Sequence, residues 1–115
     1  MKFIITLFFI IASFSYAKSD LVWIKESDKR LSWKDATAYC KNNNAKLPSL
    51  KEITKVWEDH GRSADIDGFD LSVSYWTSTE VKDNTIAAYP FYFGVGKEGW
   101  YYKADHYGVR CIKNH

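Results

Sequence analysis

Residues 31–44, Leu-Ser-Trp-Lys-Asp-Ala-Thr-Ala-Tyr-Cys-Lys-Asn-Asn-Asn, read as a capped amphipathic helix that carries Cys40, one of only two cysteines in the chain. The other, Cys111, lies almost at the C-terminus. A bond between them would close nearly all the intervening chain into one loop and tie the helix to the last strand. Few features restrict a small chain's fold as much, because such a staple removes entropy from the unfolded state.

The helix reading rests on its ends as well as its stripe. Ser32 is a good N-cap, Asp35 stands where a capping-box acid belongs, and Leu31 is placed to staple onto Ala36. Trp33, Ala36, Thr37 and Cys40 recur at helical spacing as the expected buried face. The run Asn42, Asn43, Asn44 ends it, since asparagine tolerates the left-handed turn of a helix C-terminus. A second helix opens after Leu47-Pro48, with Ser49 and Glu52 as a full capping box, Leu50, Ile53, Val56 and Trp57 as its apolar face, and Gly61 as a stop.

The compartment follows from the N-terminus. Lys2, an apolar run over residues 3–11 and Ser15-Tyr16-Ala17 make residues 1–17 a secretory signal peptide. A membrane-spanning helix needs about 20 apolar residues, and Ser13, Ser15, Lys18 and Asp20 interrupt this run. The remaining 18–115 then form a single domain, exported to the periplasm or secreted and not membrane-embedded after cleavage. Two cysteines in an oxidising compartment favour a Cys40–Cys111 disulfide, which a domain this small needs. Neither sits in a C-x-x-C or C-x-x-H pair of the kind that binds zinc.

The chain's net charge of +2 falls to about +1 when Lys2 is removed, with acids and bases interspersed. No basic run is present, which argues against a nucleic-acid partner. Aromatic content is the unusual feature: all five tryptophans follow the signal segment.

Residues 20–24 read as an opening strand, and 75–80 as a strand after the first two helices. Residues 86–93 follow as another, with Ala87, Tyr89, Phe91 and Phe93 on one face and Ala88, Pro90 and Tyr92 on the other. Pro90 implies that this strand is an edge or is bulged. A Gly-rich turn over 94–99 leads to residues 100–103 as its partner, and 107–112 form the final strand. Strand, two helices and then antiparallel strands give an α+β pattern. Between them, Asp65, Asp67 and Asp70 crowd one loop and raise the question of calcium. Their D-x-D-G-x-D spacing departs from the EF-hand pattern and no bidentate glutamate follows, so turn chemistry accounts for them and no metal or other cofactor is expected.

Five short motifs in order, Leu-Val-Trp at 21–23, Ser-Trp-Lys-Asp-Ala-Thr-Ala-Tyr-Cys at 32–40, Leu-Pro-Ser-Leu-Lys-Glu-Ile at 47–53, Tyr-Trp-Thr-Ser-Thr-Glu at 75–80 and Val-Arg-Cys-Ile at 109–112, resemble the bacterial Lcl C-terminal domain family, a domain of unknown function. The resemblance spans about residues 20–113. It implies a C-type-lectin-like fold, with two helices packed on a small antiparallel sheet and the helix cysteine bonded to the last-strand cysteine. Trp33, Leu47, Pro48, Trp76 and Arg110 would then be structural. The sequence departs from the family at Ala45-Lys46, where Trp-Arg is usual. The resemblance carries no calcium-dependent sugar binding, because the Glu-Pro-Asn, Gln-Pro-Asp and Trp-Asn-Asp signatures of true C-type lectins are missing.

Catalysis finds little support in the residues. His60, His106 and His115 fall in loops or at the terminus, and no nucleophile elbow accompanies them. Asp59 and His60 are helix neighbours facing different directions. The expectation is a non-catalytic exported module that binds a protein or a surface polysaccharide, with adhesion suggested by the family's name. The alternative is a small periplasmic inhibitor or immunity-type protein blocking an envelope enzyme. Tyr92, Tyr101 and Tyr102, with Trp100 behind them, are the candidate binding residues, because aromatic rings offer large contact area. Cross-strand pairing within the sheet is the competing account of the same rings. Lys82, Lys97 and Lys103 near the same turns would add a weak anionic preference, and a solvated surface accounts for them equally well.

Overall fold

The computed structural model describes residues 21–59 and 69–114. The expected signal segment 1–17, the helix stop at Gly61, the loop aspartates Asp65 and Asp67, and His60 and His115 lie outside these residues. Among the described residues, no helix is long and apolar enough to cross a membrane.

Helix α1, Trp33–Asn42, begins where Ser32 adopts an extended conformation and its side chain accepts the Asp35 amide at 3.2 Å. Ala36 and Cys40 are fully buried, and Trp33 and Tyr39 flank them half-buried. Thr37 corrects the expected stripe: it is exposed, and its hydroxyl is satisfied locally by the Trp33 carbonyl at 2.9 Å. The asparagines act as expected, Asn43 returning its amide to the Cys40 carbonyl and Asn44 taking the left-handed conformation, φ 54°.

That turn feeds β1, Ala45–Lys46, a two-residue strand that its length hides from any period-2 pattern. Helix α2, Leu50–Asp59, starts at the reciprocal box foreseen from sequence: Glu52 accepts the Ser49 amide at 2.8 Å while Ser49 Oγ accepts the Glu52 amide at 3.0 Å. Ile53 and Val56 are its buried face, with Leu50 and Trp57 half-buried beside them.

The main sheet contains β2, Ser74–Glu80; β3, Ala87–Tyr92; β4, Lys97–Glu98; and β5, Tyr101–Tyr102. All contacts are antiparallel, and β3 is central: β2 lies on one side, β4 and β5 on the other. Pro90 is therefore not on an edge strand. It is accommodated by irregularity, since Trp76 pairs with Pro90 but the next pair is Glu80 with Ala88, so β2 bulges opposite it. On the other side Pro90 falls between the β4 and β5 pairings, where its carbonyl accepts the Gly99 amide at 2.9 Å.

Two expected strands are largely irregular. The opening segment forms one antiparallel bridge, Trp23 with Ile112, and the final segment is strand only at β6, Ile112–Lys113, which pairs with β1. The cause is that residues 107–113 thread between three partners. Gly108 bonds to Ser74 and Trp76 of β2, Val109 and Cys111 accept amides of Ser27 and Ile24, and Lys113 donates to Val22. No neighbour persists long enough to make a regular ladder.

Adjacent β2 residues feed two cores, as alternation requires. Trp76 joins Ala36, Cys40, Ala45, Leu47, Ala88, Val109 and Cys111, and Tyr75 joins Ile53, Val56, Phe69, Val73, Phe91 and Phe93. Large side chains such as Trp76 and Phe91 are fully buried, each worth about 1.5–3 kcal/mol in apolar burial. The cysteines are bonded, with Cα atoms 5.5 Å apart, and join α1 to the final thread.

Candidate functional site

The site is built at the end of the sheet where the short strand β5 returns against the start of β3. Tyr101 stands opposite Ala88 and Tyr102 opposite Ala87. Because successive strand residues face opposite ways, Tyr101 and Tyr102 do not share a face. Tyr102 instead meets Trp100, ring centroids 5.7 Å apart at 70°, and the two remain 52% and 47% exposed. Tyr101 lies over Gly99, where an added Cβ would come 2.4 Å from its ring, and packs on Tyr107 at 5.5 Å. Tyr92 is separate: it ends β3 beside Gly94, four residues along the strand from Ala88, about 13 Å at strand rise. The structure thus joins Trp100 with Tyr102 and sets Tyr101 and Tyr92 apart.

Ile86, 60% exposed, precedes β3, and its carbonyl accepts the Lys103 amide at 2.8 Å; with Ala87 opposite Tyr102, alternation sets Ile86 on the Tyr101 side, away from the Trp100–Tyr102 pair.

Of the three lysines, Lys82 and Lys97 are exposed. Lys103 is committed: its ammonium bonds Glu80 and the Thr85 carbonyl, each at 2.7 Å, and sits 4.3 Å from the Trp33 ring centroid. It therefore offers no free charge to an anion.

The residues expected to be structural occupy connecting positions. The Trp33 indole donates to the Thr77 carbonyl at 2.9 Å, and the Trp76 indole to the Leu31 carbonyl at 2.7 Å. Leu47 and Pro48 are buried, and the Pro48 carbonyl accepts the Ser78 amide. Arg110 donates from Nε to the Ile24 carbonyl at 3.2 Å, with its guanidinium 4.8 Å from the Phe69 ring centroid.

Of the loop aspartates, Asp70 is described, and it closes a turn: Ser72 donates both its amide and its hydroxyl to Asp70 Oδ1. The Ser72 hydroxyl, then its amide, hold the Asp70 carboxyl below its usual range. Among the described residues no cluster of three His, Cys, Asp or Glu side chains could hold a metal ion.

An open groove of about 670 Å³ lies between α2 and the sheet, lined by Ser49, Leu50, Lys51, Thr54, Lys55, Glu58, Asp59, Thr79 and Glu98. Its walls largely satisfy one another, with Thr79 Oγ1 accepting the Leu50 amide and Lys55 paired to Asp59.

The family model of the Lcl C-terminal domain matches residues 15–113. The chain belongs to that family. No curated protein matches the sequence significantly. Among solved structures, TC14, a C-type lectin from the tunicate Polyandrocarpa misakiensis, is similar at a TM-score of 0.54 and 14% identity, over 84% of this chain and 99% of that one. This Lcl C-terminal domain therefore has a C-type-lectin-like α+β fold, with two helices, antiparallel sheets and one disulfide. Its cystine fits a protein that matures outside the reducing cytosol.

Proposed function

We propose that this Lcl C-terminal domain is a non-catalytic, exported binding module that recognises a protein or a surface glycan through the aromatic end of its sheet. The observation carrying this reading is the Trp100–Tyr102 pair, two large rings in contact yet about half exposed on a lectin-like scaffold. Adjoining exposed rings offer a ready contact surface, and tryptophan and tyrosine dominate the energetics of interfaces. Tyr101, on the opposite face of β5, and Tyr92, at the far end of β3, would serve only as a second contact apart from this pair. The lectin-like fold supports the same class.

Affinity capture on immobilised surface polysaccharides and on envelope extracts tests it. Trp100→Ala with Tyr102→Ala should abolish retention and leave the melting temperature nearly unchanged. Retention on anionic glycan that fades with salt would support adhesion. One stoichiometric envelope enzyme as partner would favour inhibition over adhesion. Unchanged retention by the double variant, with a lowered melting temperature, overturns the assignment and makes the rings structural.

A further inference from the structure

Residues 22–27 run beside the final thread and are tied to both elements that the Cys40–Cys111 bond joins. On the thread side, Lys113 donates to the Val22 carbonyl at 2.7 Å, the Ile24 amide donates to the Cys111 carbonyl at 3.0 Å, and the Ser27 amide donates to Val109 at 3.2 Å. Arg110 Nε bonds the Ile24 carbonyl. On the helix side, the Tyr39 hydroxyl donates to the Lys25 carbonyl at 3.0 Å, one residue before Cys40. The Ile24 side chain packs against the core cluster that contains both cysteines. Each cysteine has no solvent exposure.

The remaining cover differs in kind. Ala36 belongs to α1, and Trp76 and Ala88 to the main sheet, so moving them disrupts a helix or the central strands. The 22–27 segment has no regular ladder and one isolated bridge, Trp23 with Ile112. Its other ties are single bonds to separate partners, the Tyr75 hydroxyl on Glu26 among them, and a segment outside the regular ladders opens locally at lower cost than the fold as a whole.

We propose that residues 22–27 form a strap gating the Cys40–Cys111 bond, so that the bond is reduced only when the strap undocks. In the reaction gated, a thiolate of an external dithiol attacks one cystine sulfur and expels the other as a thiolate. The second external thiol then resolves the mixed disulfide. Two electrons pass to the cystine, Cys40 and Cys111 each take up a proton, and the dithiol leaves as a cyclic disulfide. The partner class is therefore a dithiol reductant, either a small molecule or an oxidoreductase with paired cysteines.

Dithiothreitol is the probe, with the oxidised protein under native conditions and free thiols trapped by alkylation and counted by mass spectrometry. Tyr39→Phe, which removes one strap bond and nothing from the core, should speed reduction about fivefold, and Ile24→Ala about tenfold or more. Ile53→Val, in the other core cluster, against which Trp23 of the strap packs, lowers global stability while leaving every strap hydrogen bond in place, and should change the rate by less than about twofold. Amide exchange at Ile24 and Ser27 should rise in step with reduction in the strap variants. Acceleration by all three variants in proportion to lost global stability overturns the gate, because the bond would then open by unfolding. Unchanged rates in Tyr39→Phe and Ile24→Ala overturn it equally.

Discussion

The Lys103 ammonium stands 4.3 Å from the centroid of the Trp33 ring, at the N-terminus of α1, while the Trp33 amide donates to the Lys103 carbonyl at 2.9 Å. Main chain and side chain of the same two residues therefore bind helix to sheet. With Glu80 and the Thr85 carbonyl also on the ammonium, Lys103 closes a small polar joint whose side chain is 19% exposed. Lys103→Met should cost about 1–2 kcal/mol in urea unfolding. Lys82→Met, on an exposed turn, should stay within about 0.5 kcal/mol.

Gly96 has φ 71°, and an added Cβ would fall 2.2 Å from the Trp57 ring. That ring is pinned by its indole bond to the Phe93 carbonyl at 3.1 Å. Gly96→Ala should therefore lose about 2–3 kcal/mol in chemical denaturation, combining left-handed strain with displacement of Trp57.

Tyr75 donates to Glu26 at 2.9 Å and accepts the Asp70 amide at 2.8 Å. Burial pushes its phenol far above the ordinary value of 10.0; the Asp70 amide opposes this, and Glu26 reinforces it. The unfolded chain gives up this proton first, so its contribution to stability is complete below pH 10 and is lost as pH rises beyond that. Alkaline unfolding followed by circular dichroism should show this fall. Tyr75→Phe should flatten the alkaline limb while lowering stability at neutral pH by about 1–3 kcal/mol, because Glu26 and the Asp70 amide lose their partner. Tyr107, also raised by burial, should leave a residual slope.

Replacing both cysteines by alanine opens a loop with a sequence separation of 71. The chain-entropy account sets the loss at roughly 4 kcal/mol. Thermal melts of the oxidised wild type and the double variant should differ accordingly, and a gap below about 1 kcal/mol would show that the packed core alone holds α1 against the thread.

Chelation should leave the protein unmoved. Asp70 already spends one carboxylate oxygen on Ser72, so EDTA should not shift the melting temperature, and a drop of several degrees would show a bound calcium.

Local signals proved the most legible. Ser32, the Ser49–Glu52 box and the asparagine run act within three or four residues of themselves, so the chain alone specifies them. The strand over 75–80 was visible for the same reason. Pro90 shows where such reasoning stops, because its proline ring permits a central strand only through a bulge that β2 supplies. The segment 107–112, expected as a final strand, is regular only where Ile112 enters β6, because its partners change along its length. At the candidate site, the aromatic residues were legible but their grouping was not. Pairing Trp100 with Tyr102, and turning Tyr101 toward Tyr107, depends on the β3–β5 register, which no local pattern encodes.

The strap and the thread also determine how the domain would bear tension. Lys113 bonds Val22 close to both described ends, so a pull between Val22 and Lys113 peels hydrogen bonds one after another from that end. Peeling stops at the cystine, where the load passes from residue 40 directly to residue 111. The main sheet and α2 lie within the closed loop, off the load path.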